Sequence, residues 1–158
     1  MPTIQQTESF LTFKLSDELF AINVSKVLEI LEVKPITRVP NASGFMKGVI
    51  NLRGNILPVV DTRNKFAMPE AEFTIDTCII VLSIHDEKDP LLVGAIVDSV
   101  QKVIDIPDDS IQASPSLGLK CREDFITGIG KIEKDFVMIL NIDKVFSAHD
   151  VYTSAEDN

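Results

Sequence analysis

Short runs of alternating apolar and polar residues, each closed by a turn signal, set the character of this chain. Leu11-Thr-Phe13-Lys-Leu15 alternates strictly, as a half-buried strand does. Ser16-Asp17-Glu18 turns it into Phe20-Ala-Ile22-Asn-Val24, which alternates again. The next segment is ambiguous. Val24, Val27, Leu28 and Leu31 fit one helical face with Ser25 as N-cap, while Glu29 to Val33 alternates as a strand. One helical turn leading into a strand accommodates both patterns. Pro35 and Pro40 bracket a short extended ITRV, and Asn41-Ala-Ser-Gly marks a turn.

The stretch KGVINLRGNILPVVD, Lys47 to Asp61, predicts two strands, 48–52 and 56–60, joined through Arg53-Gly54. Glycine there supplies the positive φ of a tight hairpin turn. Pro58 has no amide donor and predicts a sheet edge or a bulge. Val49 and Ile50 point to opposite faces, as do Val59 and Val60, so both faces need cover. TIDTCIIVLSI (74–84) and LLVGAIVD (91–98) flank a polar hairpin loop, HDEKDP, and a further strand is expected over 101–106. Pro107 to Glu123 has no clear period. Strands follow at 125–132 and 136–140, joined by Glu133-Lys-Asp. Asn141 or Asp143 can then cap a short helix over 142–148, and a frayed tail closes the chain. So many short strands at close spacing predict small barrels or a sandwich.

The strands repeat. A shift of 80 lays 45–66 over 125–146 without a gap: Phe45, Gly48 and Phe66 meet Phe125, Gly128 and Phe146. Asp61 meets Asn141, each at a strand end before a short helix that its side chain can cap. A shift of 73 puts Val24, Val27, Ile30 and Val33 on Val97, Val100, Val103 and Ile106. Residues of roughly 10–66 and 76–146 therefore read as two versions of one small barrel. Two lobes of that size have thin cores and should pack on each other. The cleft between them is a natural binding site.

Composition narrows the chemistry. With 158 residues, 45% hydrophobic and 25% charged, the chain has a globular profile. Its apolar runs are too short to cross a bilayer, and no secretory leader pattern opens it, so a cytoplasmic location is expected. The net charge of −9 argues against nucleic acid. Cys78 and Cys121 lack a CxxC spacing and the two histidines lie in polar segments, so no zinc site is expected. No phosphate loop, dinucleotide fingerprint or nucleophile elbow is present. Asp61, Asp98 and Asp143 each follow an apolar run. Such strand-end acids serve as general acids and bases in some sites, but as helix caps or turn residues far more often. Arg53 stays open: it is either a solvated turn residue held by nothing, or an interface arginine on a rigid tip beside apolar residues.

KGVINLRGNILPVVD, the F-x-I-x-V-x-x-V-x-E-I pattern over Phe20–Ile30, ITRVP at 36–40, VGAIVDSV and the closing ITGIGKIEKDFVMILNIDKVF together resemble the CheW family, the adaptors of bacterial chemotaxis. The resemblance covers about 10–147. It implies a mainly β fold of two packed five-stranded Src-homology-3-like barrels with short helices. The approximate subdomains are 10–75 and 76–147, with strand exchange between them left open and 148–158 as a tail. It implies no catalysis and no cofactor. The implied partners are the cytoplasmic tips of methyl-accepting chemoreceptors and the regulatory domain of the CheA histidine kinase, met at membrane-bound receptor arrays without membrane insertion. Family positions for partner binding fall on Val27, Glu29, Gly48 and Arg53, with Lys47 and Asn51 beside them. Thr62 stands where the family commonly has Leu, and Asn141 where it commonly has Asp. The nearest alternative is the same fold in another receptor–kinase pathway, for surface motility or gene control; a small β-barrel enzyme using Asp61 or Asp98 ranks far behind both.

Overall fold

A computed structural model describes residues 7–40, 45–85, 90–112, 125–132 and 134–146. The alternating segments form strands β1 (Thr7–Leu15), β2 (Glu18–Asn23), β3 (Val27–Glu32), β4 (Met46–Leu52), β5 (Asn55–Asp61), β6 (Cys78–His85), β7 (Pro90–Val97), β8 (Ser99–Pro107), β9 (Ile111–Gln112), β10 (Ile126–Ile132) and β11 (Asp135–Leu140). Helices α1 (Thr62–Lys65) and α2 (Ile142–Val145) follow β5 and β11. The ambiguous segment resolves as a 3-10 turn at Val24–Lys26 leading into β3. Its cap is Asn23, whose side chain accepts from the Ser25 amide at 2.9 Å, rather than Ser25 itself. The turns at Asn41–Gly44 and within HDEKDP, and the tail, lie largely or wholly outside the described residues.

Two sheets result. One has the order β3-β6-β7-β5-β4 and the other β8-β1-β2-β11-β10-β9. The orders match position by position under the sequence repeat. β6 and β7 stand where β1 and β2 stand, β5 and β4 where β11 and β10 stand, and β3 where β8 stands. The parallel contacts match too: Val59 opposes Gly94 and Ile139 opposes Ala21. Each repeat nevertheless gives its first hairpin away. β1 and β2 pair with β8 and β11 of the second repeat, while β6 and β7 pair with β3 and β5 of the first. The two hairpins are exchanged reciprocally within one chain, so the sheets do not divide where the repeats divide, near residue 75.

Three apolar clusters hold this arrangement. Ile50, Leu52, Leu57, Val59, Ile79, Val81 and Ile96 fill the five-stranded sheet's own interior, with Leu31 packed on them. Because β3 and β4 are the two edges of that sheet, their shared cluster means that the sheet curls on itself. Phe10, Ala21, Ile106, Val137 and Ile139 fill the other sheet. The largest cluster lies between the sheets and includes Phe13, Phe20, Val60, Phe66, Ile80, Leu82, Phe125 and Phe146. The thin cores expected of such small lobes are thus supplemented by a large shared one.

Pro58 corrects an expectation. It lies in β5, an interior strand between β7 and β4 rather than an edge. Opposite it, Val49 directs both of its backbone groups to Thr37, with N···O distances of 2.9 and 2.8 Å. That makes Val49–Pro58 a non-hydrogen-bonded pair. The position without an amide hydrogen therefore faces β7, whose pairing with β5 starts only at Val59.

Candidate functional site

The turn between β4 and β5 holds two consecutive residues at positive φ, Arg53 at 51° and Gly54 at 85°. This is the backbone of a type I′ hairpin, which prefers Asn, Asp or Gly at both positions. Asn51 Oδ1 accepts from the Gly54 amide at 2.7 Å and tightens the turn. An arginine at the first position runs against the local preference, because a side chain at left-handed φ brings Cβ close to the backbone.

Arg53 is nonetheless held. Its Nη1 and Nη2 donate to the two oxygens of Glu29 at 2.6 and 2.7 Å. This is the paired geometry in which a guanidinium matches a carboxylate best. The hydrogen bonds hold the Glu29 carboxyl below its usual range and raise the Arg53 guanidinium further. β3 and β4 are opposite edges of the curled sheet, so the pair crosses the seam where the sheet fails to close. The Arg53 side chain stays 70% exposed, which leaves most of its surface available to a partner. Arg53 is thus a mostly solvated turn residue that Glu29 holds in place.

The other family positions divide by role. Gly48 is buried, and a Cβ on it would lie 2.3 Å from the Thr37 carbonyl oxygen. Gly128, its repeat equivalent, meets the Gln112 carbonyl oxygen at 2.8 Å in the same way. Gly48 thus has a sufficient architectural reason. Lys47 is half-buried with Nζ 5.9 Å from the Phe73 ring centroid. Val27 is half-buried and packs against the core between the sheets. A bulge between Val27 and Glu29 puts these two on different faces of β3. The structure therefore joins Glu29, Arg53 and Asn51 into one patch. Lys47 and Gly48 lie at the far end of β4, and Val27 faces elsewhere.

Two exposed apolar residues that the sequence reading passed over neighbour Glu29 along β3, with Ile30 on the face of Val27 rather than that of Glu29. Leu28 and Ile30, flanking Glu29 on the edge strand, are 55% and 44% exposed. In the sequence Leu28 falls on a possible helical face and Ile30 in the repeat, so neither is marked as exposed. Ile56, opposite Asn51 in the hairpin, is also exposed.

The strand-end acids are engaged structurally. Asp61 Oδ1 caps α1 through the Arg63 amide at 3.0 Å. Asp98 accepts from Arg63 Nε at 2.8 Å and from the Ser16 amide at 2.6 Å. Both acids meet at Arg63, because Asp61 opposes Ile96 on the neighbouring parallel strand. Burial pushes the Asp98 carboxyl up, but Arg63 and the Ser16 amide more than offset that and its pKa is lowered. Asp143 repeats the device with the charges exchanged: it accepts from Lys26 Nζ at 3.2 Å and from the His85 amide at 2.9 Å. Asn141, by contrast, makes no side-chain cap to α2. Among the described residues no group of three or more His, Cys, Asp and Glu is placed to hold a metal ion, and no helix is long and apolar enough to cross a membrane.

Comparison with known proteins sets the chain in a family. The model of the CheW-like domain matches residues 9–150. The chain is 32% identical over 144 residues to the chemotaxis protein CheW of Klebsiella aerogenes, covering 91% of this chain and 84% of that one. It is 31% identical over 154 residues to CheW of Bacillus subtilis, covering 98% and 96%. The crystal structure of the scaffolding protein TtCheW from Thermoanaerobacter tengcongensis superposes with a TM-score of 0.80 at 29% identity, covering 92% of this chain and 96% of that one.

Proposed function

The chain belongs to the CheW-like domain family, and from that premise we propose that it couples chemoreceptor tips to the regulatory domain of a CheA-type histidine kinase through the Arg53–Glu29 patch. It is a non-enzymatic chemotaxis scaffold adaptor. Its work is binding: it changes kinase output only to the extent that its contacts differ between the kinase-on and kinase-off assemblies.

One observation carries the assignment of the site. An arginine occupies a turn position that favours other residues, and it is oriented across the seam by Glu29 with most of its surface exposed. A guanidinium oriented in this way has lost part of its rotational freedom before a partner arrives. Its remaining donors suit carboxylate or carbonyl groups on a receptor helix. Leu28, exposed next to Glu29 on the edge strand, supplies an apolar neighbour, which is what an amphipathic helix seeks. Asn51 ties the hairpin turn and Gly48 admits the Thr37 carbonyl beside it, while Lys47 and Val27 lie at the margin of the surface. Recruitment to membrane-bound arrays follows from the receptor contact, with the chain itself staying in the cytoplasm.

The test is binding of a receptor tip fragment, with kinase activation in reconstituted arrays as the second readout. Arg53→His is expected to weaken receptor binding while the unfolding midpoint stays unchanged. A variant that binds as tightly as the parent removes Arg53 from the site. Val27→Asp is expected to impair assembly, and its unfolding curve must be read beside it because Val27 touches the core.

A further inference from the structure

The six-stranded sheet carries a groove between the starts of β2 and β11. These strands run parallel but pair only at Met138–Phe20 and Ile139–Ala21, so their first residues splay. The groove is lined by Lys14, Asp17, Glu18, Leu19, Asp135, Phe136 and Met138. Phe136 is 65% exposed, a large ring left in water at the mouth of a concave site. Asp17, Glu18 and Asp135 flank it, and none of them forms an ion pair among the described residues.

The internal repeat says which of these features the fold requires. The equivalent place in the five-stranded sheet is the splay between the starts of β7 and β5. There Pro90 and Leu91 stand for Asp17 and Glu18, and Asn55 stands for Asp135. The exposed apolar residue persists as Ile56. The same backbone is therefore built with no carboxylate at any of the three positions. The acids around Phe136 are additions to the architecture, and they change an apolar groove into one that is apolar at its floor and anionic at its rim.

We propose that this groove docks a basic segment of a partner protein, with an arginine or lysine side chain laid on the Phe136 ring and its charged head among Asp17, Glu18 and Asp135. An aromatic face and carboxylates attract the same cation, the ring through its quadrupole and the acids by Coulomb attraction. The aliphatic stem of such a side chain matches Leu19 and Met138. Among the described residues Lys14 is the one basic residue lining the groove and Lys131 stands across from Phe136 on β10, so three acids face two lysines. The proposal is independent of the Arg53 patch, which lies on the other sheet.

Titration of the full-length, isotope-labelled protein with a short synthetic peptide alternating Arg and Leu, followed by amide shifts, tests it. The expected shifts cluster on 17–19 and 135–138. The double variant Asp17→Asn/Asp135→Asn is expected to weaken the complex about tenfold and Phe136→Ser about fivefold. Glu70→Gln/Glu72→Gln, which removes the same charge from an exposed segment elsewhere, is expected to stay within about twofold. Equal weakening by the two double variants overturns the proposal, as do shifts clustered away from the groove or an alternating Glu and Leu peptide that binds as well.

Discussion

The β4–β5 and β10–β11 hairpins are built on one plan. Each has a bulge at its start, between Met46 and Gly48 and between Ile126 and Gly128. Each has a glycine beneath a crossing carbonyl. Each ends with a backbone amide bonded to the hairpin's opening Phe, Asp61 to Phe45 at 3.2 Å and Asn141 to Phe125 at 2.8 Å. Each then enters a one-turn helix closed by a buried Phe. They differ at the tip, where Arg53-Gly54 faces Glu133-Lys134. What the hairpins share is what the barrel needs, and what they do not share is free to serve binding.

The most disruptive way to probe the shared plan is to fill the glycine sites. Gly48→Ala and Gly128→Ala each push a methyl group into a backbone oxygen at 2.3 and 2.8 Å. Each is expected to cost about 3 kcal/mol in urea unfolding, with Gly48→Ala the worse. A cost near zero at Gly48 would return that residue to the binding site.

The two ion-pair clamps come next. Asp98→Asn removes the partner of a largely enclosed Arg63 and is expected to cost about 2 kcal/mol, and Asp143→Asn, which is more exposed, about half that. Both carboxyls have lowered pKa values in the folded state. Their stabilisation is therefore fully present above the unfolded carboxylate value near ~4 and is lost as pH falls through the folded value. Unfolding free energy measured below about pH 4 is expected to fall less steeply in each variant than in the parent.

The next effect has the opposite sign. Thr62 is buried and its hydroxyl has no hydrogen-bond partner, while its repeat equivalent is the buried Ile142. Thr62→Val is expected to raise stability by about 1 kcal/mol, read as a higher urea midpoint. A loss would mean that the hydroxyl is satisfied in solution. At the tips, Arg53→Asn suits the left-handed turn and is expected to leave the midpoint unchanged or raised while receptor binding falls. Loss of both together would make Arg53 part of the plan rather than an addition to it.

Much of this was legible without coordinates. The period-2 runs located nearly every long strand, because a strand with one buried face must alternate. The shift of 80 aligned the hairpins before their bulges were visible. Pro58 misled, because a strand can be interior and still have one residue whose amide faces nothing. Asn141 misled for a similar reason: a side chain able to cap did not turn toward its helix, which the residue type alone does not decide. The exposure of Leu28 and Ile30 was not legible because apolar residues in a short run carry no mark of which face meets water.

The chain's own sequence determined its elements, its duplication and the family it belongs to, since these rest on local pattern and on residues read in order. Tertiary structure alone decided which strands lie side by side. Apolar alternation tells a strand which face to bury and not which neighbour to choose, so the reciprocal exchange of hairpins could not be read from it. The pairing of Arg53 with Glu29, 24 residues apart, follows from the same cause: the sheet had to curl before its two edges, and the charges on them, could meet.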